Sequence, residues 1–341
     1  MKGVILAAGK GTRMLPLTLT RPKPLVPLLD VPMLEHIILG MRSAGVNRVC
    51  VVVGHLQEMI REQLGDGSRL GVAVEYCAQE RAGGTGDAVL HAAGFIGEDH
   101  FFLSWGDIMV APPNYPAVAE RYRAGGCEGV LGANRVDDPY QGAAVYQVGG
   151  YLSDIVEKPA KGTSASNHNN AGVFILPAAM VEVLRSVPLS PRGEIEMTSA
   201  LLAYAAAAGR LAVHEIEGYW DDVARPANVI RLQATMLEFS HHDASAIADS
   251  AQIDPGAVLK PPVYIGHGAV VGAAVVGPNA VIGAGCSVAD GCTLSDSACF
   301  AGAAVGAGSC AEHAILEMGA RVSAGTSLTG SPAEPICVPA E

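Results

Sequence analysis

From Ile247 onward the chain repeats with a period of six, and no other feature of the sequence restricts its fold so tightly. Ile247, Ile253, Leu259, Ile265 and Val271 keep that spacing, and after a one-residue slip Val276, Ile282, Val288, Leu294 and Phe300 resume it. Four positions after each stands a small or β-branched residue: Ala251, Ala257, Val263, Ala269, Val275, Ala280, Cys286, Cys292, Ala298 and Ala304. In a solenoid of hexapeptides the aliphatic residue fills the interior of a prism and the small one fits a crowded corner. The double register therefore predicts a left-handed parallel β-helix. Glycine after the aliphatic residue, as in Ile265-Gly266 and Ile282-Gly283, suits tight turns. Cys286 and Cys292 occupy small-residue positions, which makes them packing residues rather than ligands.

Up to about residue 235 the pattern is different. Short apolar runs at Gly3–Ala8, Arg48–Val53, Val72–Tyr76, His100–Ser104, Gly129–Ala133, Gly142–Gln147, Gly172–Leu176 and Leu211–Glu215 read as strands. Amphipathic stretches between them, such as Met33–Ala44, Leu56–Leu64, Asp87–Ala93 and Pro116–Arg123, read as helices. This alternation predicts an α/β domain: a Rossmann-like, mostly parallel sheet covered on both faces by helices. Ligands bind such sheets at the carboxyl ends of the strands, where Gly9 and Asp107 fall. The expected organisation is an α/β domain over 1–235, a linker over 236–246, the β-helix over 247–330 and a tail over 331–341. His241-His242 in the linker reads as solvated, since no carboxylate or cysteine pattern accompanies it.

Charge and cysteine content narrow the function. A formal net charge of −12 over 341 residues argues against a general binder of nucleic acid or of acidic membranes, so an anionic ligand must be met by a local basic cluster. The N-terminal apolar run, Val4 to Ala8, is too short for a signal-peptide core, and no segment has the apolar length of a membrane span. The eight cysteines contain no C-x-x-C pair, which indicates neither a disulfide scaffold nor a zinc site. A cytoplasmic location is expected.

The basic cluster lies at the start of the chain. The first strand runs into Gly9-Lys10-Gly11-Thr12-Arg13, and Arg21 and Lys23 follow among prolines. Gly9 and Gly11 let backbone N–H groups converge on phosphate oxygens, and the four cations supply compensating charge. The loop lacks the third glycine of a dinucleotide fingerprint and is not a Walker A sequence. The pattern alone therefore says phosphate binding and no more.

The run L-A-A-G-K-G-T-R-M-L-P-L-T, continued by R-P-K-P-L-V-P, resembles the signature of the sugar-1-phosphate nucleotidyltransferases, or nucleotide-sugar pyrophosphorylases. Further blocks similar to that family follow in order: Gln79 with Gly84-Thr85-Gly86, Trp105-Gly106-Asp107, Val156-Glu157-Lys158-Pro159, Asn170-Ala171-Gly172, Gly193 to Thr198, and Trp220-Asp221-Asp222-Val223. The resemblance covers most of the first 235 residues. It implies condensation of a nucleoside triphosphate with a sugar 1-phosphate to give a nucleotide sugar and pyrophosphate. It also implies Mg²⁺ held by Asp107 and Asp222, with family spacing alone preferring Asp222 to Asp221. Arg13 and Lys23 would meet the triphosphate as catalytic cations, and Leu6, Ala8, Gly9, Gly11, Thr12, Gln79, Gly84 and Thr85 would line the nucleotide. Gly142, Glu157, Lys158 and Asn170 would hold the sugar phosphate, with help from Thr198.

No catalytic base is required, because a phosphomonoester with a second pKa near ~6 is largely ionised at neutral pH. Anion repulsion and charge on the leaving pyrophosphate form the barrier, so positioning and electrostatics dominate. A glutamine amide at Gln79 can donate and accept at once, matching a carbonyl and N3–H of uracil or thymine. UTP or dTTP is therefore the expected donor, with guanylyl or adenylyl transfer as the alternative within the family. The β-helix suggests assembly of a homo-oligomer, since faces rich in Ala and Val invite packing against copies of themselves. Its other reading is acetyl transfer to an amino sugar phosphate through His267 or His313, but Lys260 and Arg321 alone would have to hold the phosphates of coenzyme A.

Overall fold

The computed structural model describes residues 1–207, 209–241 and 245–340. Its internal contacts divide the chain into two compact units, Met1–Lys10 with Leu34–Trp220 and Gly11–Met33 with Asp221–Glu341. The division falls within the glycine loop, between Lys10 and Gly11.

The first unit is built on a nine-stranded sheet whose strands are β1 (Lys2–Ala7), β2 (Arg48–Val53), β3 (Ala73–Ala78), β4 (Phe101–Trp105), β5 (Gly129–Arg135), β6 (Ala143–Val148), β7 (Tyr151–Glu157), β8 (His168–Leu176) and β9 (Leu211–Glu215). They lie in the order β3-β2-β1-β4-β8-β5-β9-β7-β6. The four strands on one side are parallel. β8 then runs antiparallel to both β4 and β5, and β6 and β7 form an antiparallel pair at the far edge. Val49 to Val53 are fully buried, as strands covered on both faces must be, and Val4, Phe101, Leu103, Leu131 and Phe174 join one core. β7 escapes an apolar-run criterion because Ser153 and Asp154 interrupt it, yet it carries Glu157 at its end.

The second unit contains the β-helix: three parallel sheets of six, five and five short strands. Ile247, Ile265, Ile282, Cys299, Leu316 and Val338 stack in register along the first. This corrects the sequence register where the repeat slips: Ala274 and Ser297, not Val275 and Ala298, are the inward small residues. Cys299, not Phe300, continues the inward ladder, and Ala303 rather than Ala304 is the buried small residue beyond it. The one-residue slip seen once in the sequence recurs on successive coils, so the repeat settles at seventeen residues from Ile265 to Leu316. Cys286 and Cys292 are buried packing residues. A left-handed backbone corner also recurs at this interval, at Asn279, Asp296 and His313. Asn279 donates its amide to Asp296 across it, at 2.7 Å. His313 is thus the third residue to occupy one structural corner.

The expected limits of the linker and tail coincide with no break in structure. The helix Pro226–Ser240 runs into the first, because Leu232, Met236 and Leu237 are buried along it. It starts at a proline, with the Arg225 amide donating to the Asn228 side chain. The strand Ile336–Val338 lies in the expected tail and pairs with Ala314–Leu316. His242 lies outside the described residues.

One sheet of the β-helix is covered within its own unit. Val281, Ala298 and Ile315 point away from the inward ladder and are nevertheless buried. The helix Pro226–Ser240 packs on that sheet, and residues 11–33 are anchored beside it at three points. Arg21 forms a buried ion pair with Glu317 and lies over the Phe300 ring, 5.7 Å from its centroid. The Leu29 amide donates to Gln233 at 2.9 Å. Asp30 reaches the Tyr264 hydroxyl and the Ala284 amide, filling a notch that a Cβ on Gly266 or Gly283 would close.

Arg21 and Glu317 are each less than a tenth exposed, so removing one partner strands a charge away from water. Glu317→Ala is expected to cost about 3–5 kcal/mol in urea unfolding, and the double variant Arg21→Met with Glu317→Leu to recover most of it, because the desolvation cost of both charges disappears with the pair.

Candidate active site

At the carboxyl edge of the parallel strands, β1 delivers Leu6, Ala8 and Gly9. Leu6 lies beside Val52 and Trp105 and accepts the Gly106 amide at 2.9 Å. Gly54 and Gly106 both permit close backbone approach here, since an added Cβ would stand 2.7 Å from the Ala8 and Leu6 carbonyl oxygens respectively. A Cβ on Gly9 would meet no described atom within 4 Å, so open space surrounds this turn. Asp107 follows β4 and is half-buried.

Gln79 follows β3 and is buried. Its Nε2 donates to Asp87 Oδ2 at 2.7 Å and to the Gly84 carbonyl at 3.2 Å. The Gly83–Gly86 turn is tied to the block that precedes the helix Met197–Ala206: Ile195 donates to Gly83, Gly86 donates to Ile195, and Met197 donates to the Thr85 hydroxyl. A Cβ on Gly86 would collide with Leu184 and Ile195, so this glycine is dictated by packing. Asp87 is a participant that the sequence pattern does not single out. Its only signal is its place directly after Gly-Thr-Gly.

The residues expected at the sugar phosphate form a second cluster in the same unit. The Lys158 amide donates to the Gly142 carbonyl at 2.7 Å, and Gly142 presses so closely on Asn169 that a Cβ would stand 2.0 Å from its Oδ1. Asn169 in turn accepts from the Ala143 amide and donates to Asn134. Asn170 uses its Oδ1 to accept the Gly172 amide, while its Nδ2 is buried without a partner among the described residues. The Trp105 indole N–H is in the same condition. Two buried donors awaiting acceptors are suited to hydroxyl oxygens of a ligand. Burial, reinforced by Glu196, pushes the Glu157 carboxyl up, against the pull of Lys158, Arg192 and the Thr198 hydroxyl. Arg192 is a further residue that pattern reading misses, although it immediately precedes the Gly193 block. Its guanidinium stands 3.0 Å from Glu196, 3.5 Å from Glu194 and 4.0 Å from Glu157.

The remaining expected residues belong to the second unit. Gly11 has φ 64, and a Cβ there would stand 2.8 Å from Lys23 Cβ, so both backbone and space demand glycine. The Thr18 hydroxyl donates to the Gly11 carbonyl and closes the loop over the Thr12–Met14 turn. Lys23 Nζ stands 3.5 Å from Asp222 Oδ1, and Arg13 Nη2 stands 4.0 Å from Asp222 Oδ2. The Lys23 side chain is 8% exposed and that of Arg13 64%, so one cation is held in place and the other projects.

Asp221 and Asp222 part company here. Asp221 is buried, accepting from Arg231 at 2.6 Å and from Asn228 at 3.1 Å. Burial pushes its carboxyl up to about 7, with Arg231 pulling it down. The Asp222 side chain is 38% exposed and faces the two loop cations. Arg21, third of the basic residues, is paired with Glu317, while Lys10 is exposed.

Among the described residues no helix is long and apolar enough to cross a membrane, and no three His, Cys, Asp or Glu side chains gather as a metal cage. Known proteins resemble this chain in sequence and in fold. It is 30% identical over 257 residues to the low-salt glycan biosynthesis nucleotidyltransferase Agl11 of Haloferax volcanii, covering 74% of this chain and 71% of that protein. It is 32% identical to a glucose-1-phosphate thymidylyltransferase of Streptomyces griseus, covering 76% and 72%. With the bifunctional protein GlmU of Methanococcus maripaludis it shares 33% identity over 76% of this chain, but the match spans only 62% of that longer relative. The crystal structure of UDP-glucose pyrophosphorylase complexed with UDP-glucose shares the fold at TM-score 0.62 and 22% identity, covering 70% of this chain and 98% of that one. The profile of the nucleotidyl transferase family matches residues 2–238, and with relatives of this identity and coverage the chain belongs to that family.

Proposed function

We propose that this enzyme transfers a nucleotidyl group from UTP or dTTP to a sugar 1-phosphate and releases pyrophosphate. The observation that carries the reading is the placing of Lys23 and Arg13 about Asp222 in a chain of net charge −12, a local cationic loop of the kind a triphosphate needs. The names of the relatives, a glucose-1-phosphate thymidylyltransferase and GlmU, agree with it.

In this mechanism a phosphate oxygen of the sugar 1-phosphate forms a bond to the α-phosphorus as the bond to the β-phosphate oxygen breaks. No proton has to be removed, so the residues act through charge and position. Arg13 and the amides of the glycine loop grip the β- and γ-phosphates, Lys23 neutralises the α-phosphate and Lys158 holds the incoming phosphate. Glu157 and the unpartnered Asn170 Nδ2 receive sugar hydroxyls. Asp107 and Asp222 are proposed as oxygen ligands of Mg²⁺, which when bound supplies charge neutralisation to the phosphates. The donor set suits that ion, because Mg²⁺ takes one or two carboxylates with phosphates and waters and needs no all-protein cage. Asp222 meets the requirement with a partly exposed carboxylate, whereas Asp221 is already committed to Arg231 and Asn228.

Self-association through the β-helix is part of the proposal, supported by Val258 and Val270, each more than two-fifths exposed. Light scattering tests it, and a monomer at micromolar concentration would remove it. The similarity to GlmU keeps acetyl transfer as a second reading, which consumption of acetyl-CoA with glucosamine 1-phosphate would reveal.

A matrix of five nucleoside triphosphates against several sugar 1-phosphates, read by pyrophosphate release, is expected to show turnover with UTP or dTTP. Exclusive use of GTP, ATP or CTP would overturn the base assignment. Chelation should abolish turnover and added Mg²⁺ restore it.

The paired aspartates give a sharper test. Asp222→Asn is expected to lower kcat by about 100-fold or more with an unchanged unfolding midpoint, as loss of a charge at the reacting phosphates should. Asp221→Asn is expected to lower the midpoint and spare most of kcat. The reverse pattern would assign the roles the other way round.

A further inference from the structure

We propose that Asp87 determines base specificity by fixing which end of the Gln79 amide is presented to the nucleotide base. The inference rests on the nucleotidyl transfer reading and on Gln79 meeting the base.

A glutamine amide that is free to turn offers a donor or an acceptor with equal ease, and so discriminates poorly between ring edges that differ only in that respect. Gln79 is not free to turn. The atom facing Asp87 lies 2.7 Å from a carboxylate oxygen and 3.2 Å from the Gly84 carbonyl oxygen. Both neighbours accept hydrogen bonds, so an amide oxygen in that position would face two oxygens without a proton between them. The NH₂ group is therefore held there by chemistry, and both of its protons are used. Oε1 is the group that Gln79 has left to present.

The restraint extends beyond the amide. Gly83 is needed where it stands because a Cβ would lie 2.5 Å from the Asp87 carboxylate, and the Gly84 carbonyl is fixed as part of the turn closed by Ile195. His91 Nε2 lies 3.5 Å from the same carboxylate oxygen, on the next turn of the helix Thr85–His91. Asp87 is thus a positioning residue for Gln79, held by a turn whose glycines leave it room.

A lone acceptor selects a ring N–H. Uracil and thymine carry one at N3 and guanine carries one at N1, whereas cytosine N3 and adenine N1 are bare acceptors. An acceptor opposite an acceptor loses a hydrogen bond and leaves both groups desolvated, which is how sites built on hydrogen bonding reject near-isosteric ligands. The structure therefore assigns preference to UTP, dTTP and GTP over CTP and ATP at this edge, and assigns its enforcement to Asp87.

The test is the ratio of kcat/KM for UTP to that for CTP with one sugar 1-phosphate, in the wild type, Asp87→Asn, Asp87→Ala and each variant combined with Gln79→Ala. The ratio is expected to fall by about tenfold or more in both single variants, since the released amide can turn to offer its donor to cytosine N3. In the Gln79→Ala background the same substitutions should change nothing further, because a merely structural role for Asp87 would not vanish with Gln79. Calorimetric Kd values for UTP and CTP read the same discrimination without turnover, so a protein inactive with every triphosphate would defeat the nucleotidyl transfer reading and still test Asp87. An unchanged ratio in both single variants, an equal fall with Gln79 absent, or a wild type that prefers CTP would overturn the proposal.

Discussion

A guanidinium and a carboxylate separated by 296 residues of sequence meet in the second unit, out of water, and the placing of the basic loop depends on them. Arg21 could not be buried alone, because the cost of dehydrating an isolated charge far exceeds what its packing on Phe300 returns. Glu317 is under the same constraint, with burial pushing its carboxyl up and Arg21 pulling it down. Together they fix one point of residues 11–33 on the β-helix. Asp30 in its glycine notch and Leu29 on Gln233 fix two more. The β-helix therefore does more than add length or a surface for assembly. It is the scaffold on which the segment carrying Arg13 and Lys23 is held.

This explains why four neighbouring cations have different fates. Lys10 and Arg13 remain exposed, Arg21 is consumed by a structural pair, and Lys23 is buried beside Asp222. In the proposed function a buried lysine would be useful at the α-phosphate, because its charge is felt there through little water. It can be buried only if the loop is rigid and a carboxylate is close. The anchors from the β-helix supply the first condition and Asp222 the second.

The β-helix could be read from sequence because its constraint is local and repeated: each coil must place an aliphatic residue inward at a fixed interval. The slip at Val276 was visible, but its recurrence was hidden, since Phe300 is as apolar as the Cys299 that takes the inward position. The parallel strands were legible for a similar reason, as Val49 to Val53 form an unbroken apolar run. β7 was not, because an edge-region strand exposes polar residues such as Ser153 and Asp154. At the site, resemblance pointed to the residue types and positions, but Asp221 and Asp222 differ only in what surrounds them. The partners that separate them, Arg231 and Asn228 on one side and Lys23 and Arg13 on the other, are set by packing. Asp87 and Arg192 were illegible for the same reason, because a charged residue beside a glycine turn has no signature until its partner is known.

The cluster proposed for the sugar phosphate shows what such packing would serve. An unpaired buried donor costs about 1–3 kcal/mol, and among the described residues the Asn170 amide and the Trp105 indole are two such donors in this unit. Asn169 beside Asn170 is satisfied internally: its Oδ1 accepts from the Ala143 amide and its Nδ2 donates to Asn134 and to the Asn170 carbonyl. Adjacent asparagines on one strand therefore differ in how far the chain satisfies them. Asn169 stabilises the turn at Gly142, whereas the Asn170 amide nitrogen has no partner among the described residues, and under the proposed function a sugar hydroxyl would accept from it. A ligand that completes the bond lowers the energy of the folded state alone, so occupancy of the site and stability of the sheet around it are linked. Under the proposal for Asp87 the same economy would govern Gln79, whose donor is spent internally and whose acceptor would meet the base. Under the two proposals, the part of the amide left unused would specify the partner in both places.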